Sequence, residues 1–213
     1  MNALTRLFES IFILIVFKST ETLSAFIALP SSKIIDTLFQ VQGGYALVMM
    51  SNKKLIGARD PLGIRPLVLG KIKDSYVLAS ETCAFDIIGA KFIREIENGE
   101  VVVIEDSSLK SIKPFTKKKE RPCVFEYVYF ARPDSYLKGK CAYEYRKNFG
   151  YELAKESDDV GDIVVPVPDS GVPAAIGYSQ YKKIGFELGL IRNHYVGRTF
   201  IEPKQNIRSF GVK

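Results

Sequence analysis

Apolar residues fall along the chain in short blocks separated by Gly, Pro and polar turns, and the period within each block predicts its element. After an apolar run at Ile11–Phe17 and a polar stretch at Lys18–Thr22, Pro30-Ser31-Ser32 reads as a helix start. Ile34, Ile35, Leu38 and Phe39 follow at helical spacing, and Gly43-Gly44 stops the helix. Tyr45–Met50 and Leu55–Ala58 predict two strands of a hairpin around the turn 51–54. Arg59–Pro66 is a rigid, Pro-punctuated connection, and Leu67–Leu69 with Tyr76–Ala79 predicts a second hairpin around Lys71–Asp74. Cys83–Ile88 predicts a short helix, Glu97–Glu100 a turn, and the β-branched run Val101–Glu105 a strand.

The texture then changes. Residues 106–122 are polar and rich in Lys, Ser and Pro, as expected of a linker, and Val124–Phe130 predicts an aromatic-rich strand. Tyr143–Ser157 predicts a helix. The bare apolar run Asp162–Val167 predicts a parallel strand buried on both faces. Pro173–Tyr181 predicts a helix with Pro near its first turn, and Glu187–Ile191 a further strand. The fold class expected is therefore α+β followed by α/β, with an antiparallel region over 41–105 and strand–loop–helix–strand texture from about residue 123.

Composition changes this picture little. The 213 residues carry 46% hydrophobic and 25% charged positions, a globular balance that excludes wholesale disorder. The apolar run at 11–17 is far short of the roughly 20 residues that span a bilayer, so no membrane partner is expected. The net charge of +6 is diluted, with its densest run at Lys117-Lys118-Lys119, and does not form the aromatic-interleaved basic face of a nucleic-acid binder. It better suits a small polyanion. Three widely spaced cysteines (Cys83, Cys123 and Cys141) and one histidine, His194, exclude a self-contained zinc site and suit a reducing, cytoplasmic compartment.

Candidate chemistry lies in the second half. Pro168-Asp169-Ser170-Gly171 leaves a buried strand and opens a helix, an arrangement that presents unpaired N–H groups at a positive helix end and suits a phosphate or diphosphate. Ser170 adds a hydroxyl donor, and Asp169 is placed to hold Mg²⁺ directly or through water. The same residue types also cap helices with no ligand present. Downstream, the segment 192–213 carries Arg192, Arg198, Lys204, Arg208 and Lys213 with Gly197 and Gly211 as hinges, a segment able to close over a polyanion or simply a frayed basic terminus.

Five strings resemble the glutamine phosphoribosylpyrophosphate amidotransferase (amidophosphoribosyltransferase) family in order and spacing: GARDPLGIRPLVLG (57–70), LASETCAFDIIGA (78–90), CVFEYVYFARPDS (123–135), DIVVPVPDSGVPAAIGY (162–178) and GLIRNHYVGRTFIEPKQNIRSFGVK (189–213). The resemblance implies an N-terminal-nucleophile glutaminase domain, a sandwich of antiparallel sheets between helices, followed by a type I phosphoribosyltransferase domain. Such enzymes take glutamine and 5-phosphoribosyl 1-diphosphate to 5-phosphoribosylamine in purine biosynthesis. The domains expected are an unassigned segment 1–17, a partial glutaminase domain 18–110, a linker 111–122 and a partial phosphoribosyltransferase domain 123–213. Asp169, Ser170 and Gly171 fall on the family's diphosphate loop, with Gly171 at a Mg²⁺ position. Arg198, Thr199, Gln205, Arg208 and Lys213 fall on its flexible loop. Cys123 falls on the first of four ligands to the [4Fe–4S] cluster of part of the family.

The resemblance also implies what is missing. The family opens on a catalytic cysteine, whereas this sequence begins Met1-Asn2-Ala3, and the aspartate that grips the glutamine amino group falls on Ser19. The family's Asp-Asp phosphoribosyl signature lies beyond Lys213. The expectation is a chain truncated at both ends, with no catalytic residue assigned and a single cluster ligand that cannot hold iron–sulfur. It is expected to be inactive alone and to leave apolar edges around 162–167 exposed. Two alternatives remain open: one subunit of a split enzyme completed by complementary chains or self-assembly, and a non-catalytic module that binds phosphoribosyl compounds or nucleotides.

Overall fold

A computed structural model describes residues 31–51, 53–193 and 203–212. The expectations for the apolar run 11–17, Ser19, His194, Arg198, Thr199 and Lys213 lie outside the described residues. The chain divides into two compact units, residues 1–142 and 143–213. The aromatic segment after residue 122 therefore belongs with the first unit, and the compact-unit divide falls later than the polar linker.

The first unit starts with α1 (Ser31–Leu38), then the hairpin β1 (Ala46–Met50) and β2 (Lys54–Arg59). A second hairpin, β3 (Val68–Ile72) and β4 (Ser75–Ala79), leads through α2 (Cys83–Ile88) to β5 (Lys91–Glu95). Strands β6 (Val101–Glu105) and β7 (Ser108–Ile112) complete two antiparallel sheets, ordered β1-β2-β6-β7 and β4-β3-β5.

Strand alternation explains how the sheets stack. Val101 and Val103 of β6 join Ile56 and Ala58 in a core capped by Ile34 and Leu38 of α1. Val102 and Ile104, on the opposite face of the same strand, meet Leu67, Leu69, Leu78 and Ile96 of the smaller sheet. Val68 and Ala79 turn to that sheet's outer face and pack on Phe85 of α2. The order is helix, sheet, sheet, helix, the sandwich that the resemblance implies. Glu100, with its side chain 1% exposed, ties the two sheets at one end. Its carboxylate accepts from both terminal nitrogens of Arg94 (2.8 and 2.6 Å), from Ser111 Oγ (2.6 Å) and from the Glu97 N–H (2.7 Å).

Four sequence expectations need correcting, the last of them the strand at 162–167 described below. The polar stretch 106–122 contains β7, an edge strand whose polar residues hide it and whose pairing with β6 defines it. Val124–Phe130 is not a strand: residues Glu126–Phe130 form a wide π-helical turn, closed by the Ala131 N–H on the Glu126 carbonyl (3.2 Å). Its flanking apolar side chains are exposed, whereas Glu126 turns inward to Arg65 (2.9 Å), whose guanidinium also lies over the Phe130 ring at 5.2 Å. The strand expected at 187–191 is instead β11 (Gly185–Phe186).

A short hairpin, β8 (Tyr136–Leu137) and β9 (Lys140–Cys141), runs directly into α3 (Ala142–Glu156). The second unit then contains β10 (Ile163–Val164), α4 (Val172–Lys182), β11 and α5 (Gln205–Val212). Strands β10 and β11 pair in parallel, Ile163 opposite Gly185 and Val164 opposite Phe186. The strand expected over 162–167 is thus far shorter, because β11 offers it two partners only. Apolar side chains in and after it are open, with Ile163 51% and Val167 70% exposed, while Val164 is half-buried. Helices α3 and α4 cross at two glycines. A Cβ on Gly177 would lie 1.9 Å from the Lys147 carbonyl oxygen, and one on Gly150 1.7 Å from that of Ala174.

Candidate functional site

The loop 168–171 follows β10 and opens α4, as the sequence predicts. Pro173 sits in the first turn of α4, where a missing N–H costs nothing, and Gly171 occupies the N-cap position. The loop closes through the Gly171 N–H on the Val167 carbonyl (3.1 Å) and the Val172 N–H on the Asp169 carbonyl (3.3 Å). A Cβ at Gly171 would lie 2.7 Å from the Val167 oxygen, so a larger residue there must displace the loop.

No side chain caps α4. Asp169 and Ser170 are exposed and stand beside the helix start without serving it. The Asp169 carboxylate pairs instead with Arg192 (3.2 Å), the first residue of the basic segment 192–213. The loop therefore presents an acid and a hydroxyl to solvent, with the Arg192 guanidinium paired to the acid, while the Gly171 and Val172 N–H groups are taken by carbonyls within the loop and Pro173 has none. Such a set suits an anion that arrives with a divalent cation. Among the described residues no group of three or more His, Cys, Asp or Glu could hold a metal by itself, so the donor set fits Mg²⁺ only together with the oxygens of a bound diphosphate.

The flexible-loop residues within the described part are Gln205 and Arg208, both on α5 and hydrogen-bonded to each other, from Arg208 Nε (3.0 Å) and Nη2 (2.7 Å) to Gln205 Oε1. The structure does not describe Arg198, Thr199 or Lys213.

In the first unit, Arg59–Pro66 is built around two buried charges. Arg59 donates to the carbonyls of Arg65 (2.9 Å), Ile96 (2.7 Å) and Gly63 (3.3 Å) and lies 3.6 Å from Glu95. Asp60, fully buried, accepts the N–H groups of Leu62, Ile64, Arg65 and Tyr45 at 3.0–3.3 Å. Beside this loop lies a cavity of about 30 Å³, lined in part by Arg59, Glu95, Cys123, Glu126 and Lys138, with room for about one water. Burial pushes the Glu126 carboxyl above its usual range, with Arg65 opposing the shift. Cys123 lines this cavity as a half-buried thiol. A [4Fe–4S] cluster takes four thiolates, and the sequence holds three cysteines, of which Cys83 is buried inside the sandwich, so the chain's own residues do not fit that group.

The comparisons with known proteins agree with both halves. The family model of the glutamine amidotransferase domain matches residues 16–86, which places the first unit in that class of domain. The amidophosphoribosyltransferase of Rhizobium etli is 57% identical over 188 residues, covering 86% of this chain and 38% of the relative. That of Bacillus subtilis is 47% identical over 181 residues, with 85% and 38% covered. The solved glutamine phosphoribosylpyrophosphate amidotransferase of B. subtilis, complexed with ADP and GMP, superposes with a TM-score of 0.79 at 44% identity, covering 93% of this chain and 45% of that one. The chain belongs to the amidophosphoribosyltransferase family. It spans 38% of the length of those two curated relatives. Among the described residues no helix is long and apolar enough to cross a membrane.

Proposed function

We propose that the chain forms part of an amidophosphoribosyltransferase and that its 168–172 loop holds the diphosphate of 5-phosphoribosyl 1-diphosphate. The observation that carries this reading is the exposed Asp169–Ser170 pair at the start of α4, unused for capping and set beside Arg192. In the reaction of the whole enzyme, ammonia released from glutamine forms a C–N bond at C1 of the ribose while the C1–O bond to diphosphate breaks, and the pyrophosphate leaves with the electron pair. The Ser170 hydroxyl takes a diphosphate oxygen, and Arg192 moves from Asp169 to the incoming anion. Asp169, freed from that pair, would help to hold Mg²⁺, which would supply charge neutralisation of the leaving group. Gly171 contributes backbone atoms only. Arg198, Thr199, Gln205, Arg208 and Lys213 add further donors as the basic segment closes.

The exposed apolar side chains of Ile163, Val167, Leu190 and Ile191 support completion of the second unit by further chain, either in trans or from a second copy. Free thiols at Cys83, Cys123 and Cys141 support a reducing, cytoplasmic setting. Calorimetric titration of the purified chain with 5-phosphoribosyl 1-diphosphate and Mg²⁺ tests the reading. The expected result is binding that weakens about tenfold or more in Asp169→Ala and Arg192→Ala. A folded chain that binds nothing, or binds equally well in both variants, overturns it.

A further inference from the structure

The segment 132–141 is held to the first unit in an unusual manner. Its hairpin forms a separate two-stranded sheet and extends neither of the larger ones. Three of its backbone N–H groups are received by side chains of the glutaminase sandwich: Arg132 by Glu81 Oε2 (2.7 Å), Tyr136 by Thr82 Oγ1 (2.8 Å) and Lys138 by Glu95 Oε1 (3.0 Å). Glu81 Oε2 also accepts from the hydroxyl of Ser135, a residue with no exposed surface (2.7 Å), and from the Cys83 thiol (3.6 Å). The Lys138 ammonium pairs with Glu120. The hairpin then delivers the chain to α3 at Ala142, whose N–H donates to the Ser135 carbonyl (2.8 Å).

A strand paired through its main chain leaves a sheet only by peeling a cooperative ladder. A segment held by side-chain acceptors leaves when one or two rotamers change, since exposed and half-exposed side chains hop between staggered wells on fast timescales. We propose that the corner Ser80–Thr82 is a latch for the segment 132–141, with Glu81 and Thr82 as positioning residues that set how long that segment stays docked on the sandwich. The latch lies wholly within the first unit and holds whether or not the diphosphate loop binds its ligand.

Cys83 reports on the latch from within. It is 1% exposed, and burial pushes its thiol up to about 11, so it is silent while Glu81 and Ser135 cover it. Native-state alkylation followed by mass spectrometry compares Cys83 with the half-buried Cys123. Brief trypsin treatment reads cleavage after Lys138 and Lys140. In Glu81→Gln both rates rise about tenfold or more, because a carboxylate that served several donors becomes an amide that serves fewer. In Thr82→Val, tryptic cleavage rises while Cys83 stays slow, and Thr82→Ser restores protection. The melting temperature of the first unit stays near that of the parent chain in all three. Unchanged cleavage in Thr82→Val overturns the latch. So does a rise in both variants that merely follows a fall in melting temperature, and Thr82→Val decides the matter even where Glu81→Gln fails to fold.

Discussion

Replacing Glu100 by Gln tests how the two sheets are joined. Each carboxylate oxygen serves two donors: Oε2 takes Arg94 Nη1 and the Glu97 N–H, and Oε1 takes Arg94 Nη2 and Ser111 Oγ. A glutamine keeps one acceptor oxygen and turns an NH₂ toward the other two donors. With the NH₂ at the Oε2 position two hydrogen bonds go, one of them from Arg94, and with it at Oε1 the Arg94 bond goes while the Ser111 hydroxyl turns to accept from the amide. Bonds to charged groups contribute about 1.5–3 kcal/mol each. Arg94 is 34% exposed and regains water when its partner is lost. The net cost is therefore about 3 kcal/mol, at the low end for breaking a buried ion pair. The pH dependence follows with a definite sign. Burial opposes ionisation of Glu100, but the bonds from Arg94, Ser111 and the Glu97 N–H outweigh it and hold the carboxyl below its usual range. The native state thus favours the ionised form. The contribution is complete above the unfolded value of about 4.3 and disappears as the pH falls through the lower folded value. Urea unfolding followed by far-UV dichroism at pH 7, 5 and 3 measures the gap between parent and variant. A gap below about 1 kcal/mol at pH 7, or one that is as large at pH 3 as at pH 7, refutes the reasoning.

Three further outcomes are expected. Gly177→Ala drives a methyl group to within 1.9 Å of the Lys147 carbonyl and should destabilise the second unit by about 1–3 kcal/mol, whereas Gly185→Ala, with nothing within 4 Å, should change thermal unfolding little. Tyr45→Phe should cost under about 1 kcal/mol in the same assay, because the buried hydroxyl has no hydrogen-bond partner among the described residues. In the parent chain, spectrophotometric titration should find that phenol ionising at about 12, pushed up by burial first and by Asp60 second. Arg59→Lys should cost about 2–4 kcal/mol in urea unfolding, since an ammonium on a flexible stem cannot reproduce a fork that reaches three separate carbonyls.

Much of the sandwich was legible in the sequence because its strands are half-buried and alternate. Val101–Glu105 reads as a strand from β-branching alone, and its two faces fill two different cores. The helix at Ser31–Leu38 reads from the spacing of Ile34 and Leu38, the two residues that cap the larger sheet. Where the sequence misled, tertiary contacts had overridden local pattern. Val124–Phe130 has the apolar density of a strand, but density without a decisive period does not separate strand from helical turn, and the inward pull of Arg65 on Glu126 settles it. The residues of β7 look like linker because an edge strand shows a polar face to water. The loop 168–171 was legible from its position between strand and helix. Its pairing with Arg192 was not, nor was the hold of Glu81 on Arg132, because a partner distant in sequence leaves no local signal.

Arg59 and Asp60 have a further consequence for how this family can vary. Both side chains grip backbone atoms, carbonyls in one case and amides in the other. The path of the loop that follows is thus set by main-chain contacts more than by its own side chains. Pro61, Leu62 and Ile64 are half-buried, so they can be exchanged for side chains of similar bulk while the scaffold that carries them keeps its shape. A two-residue grip of this kind lets a loop be inherited as a geometry and edited as a surface.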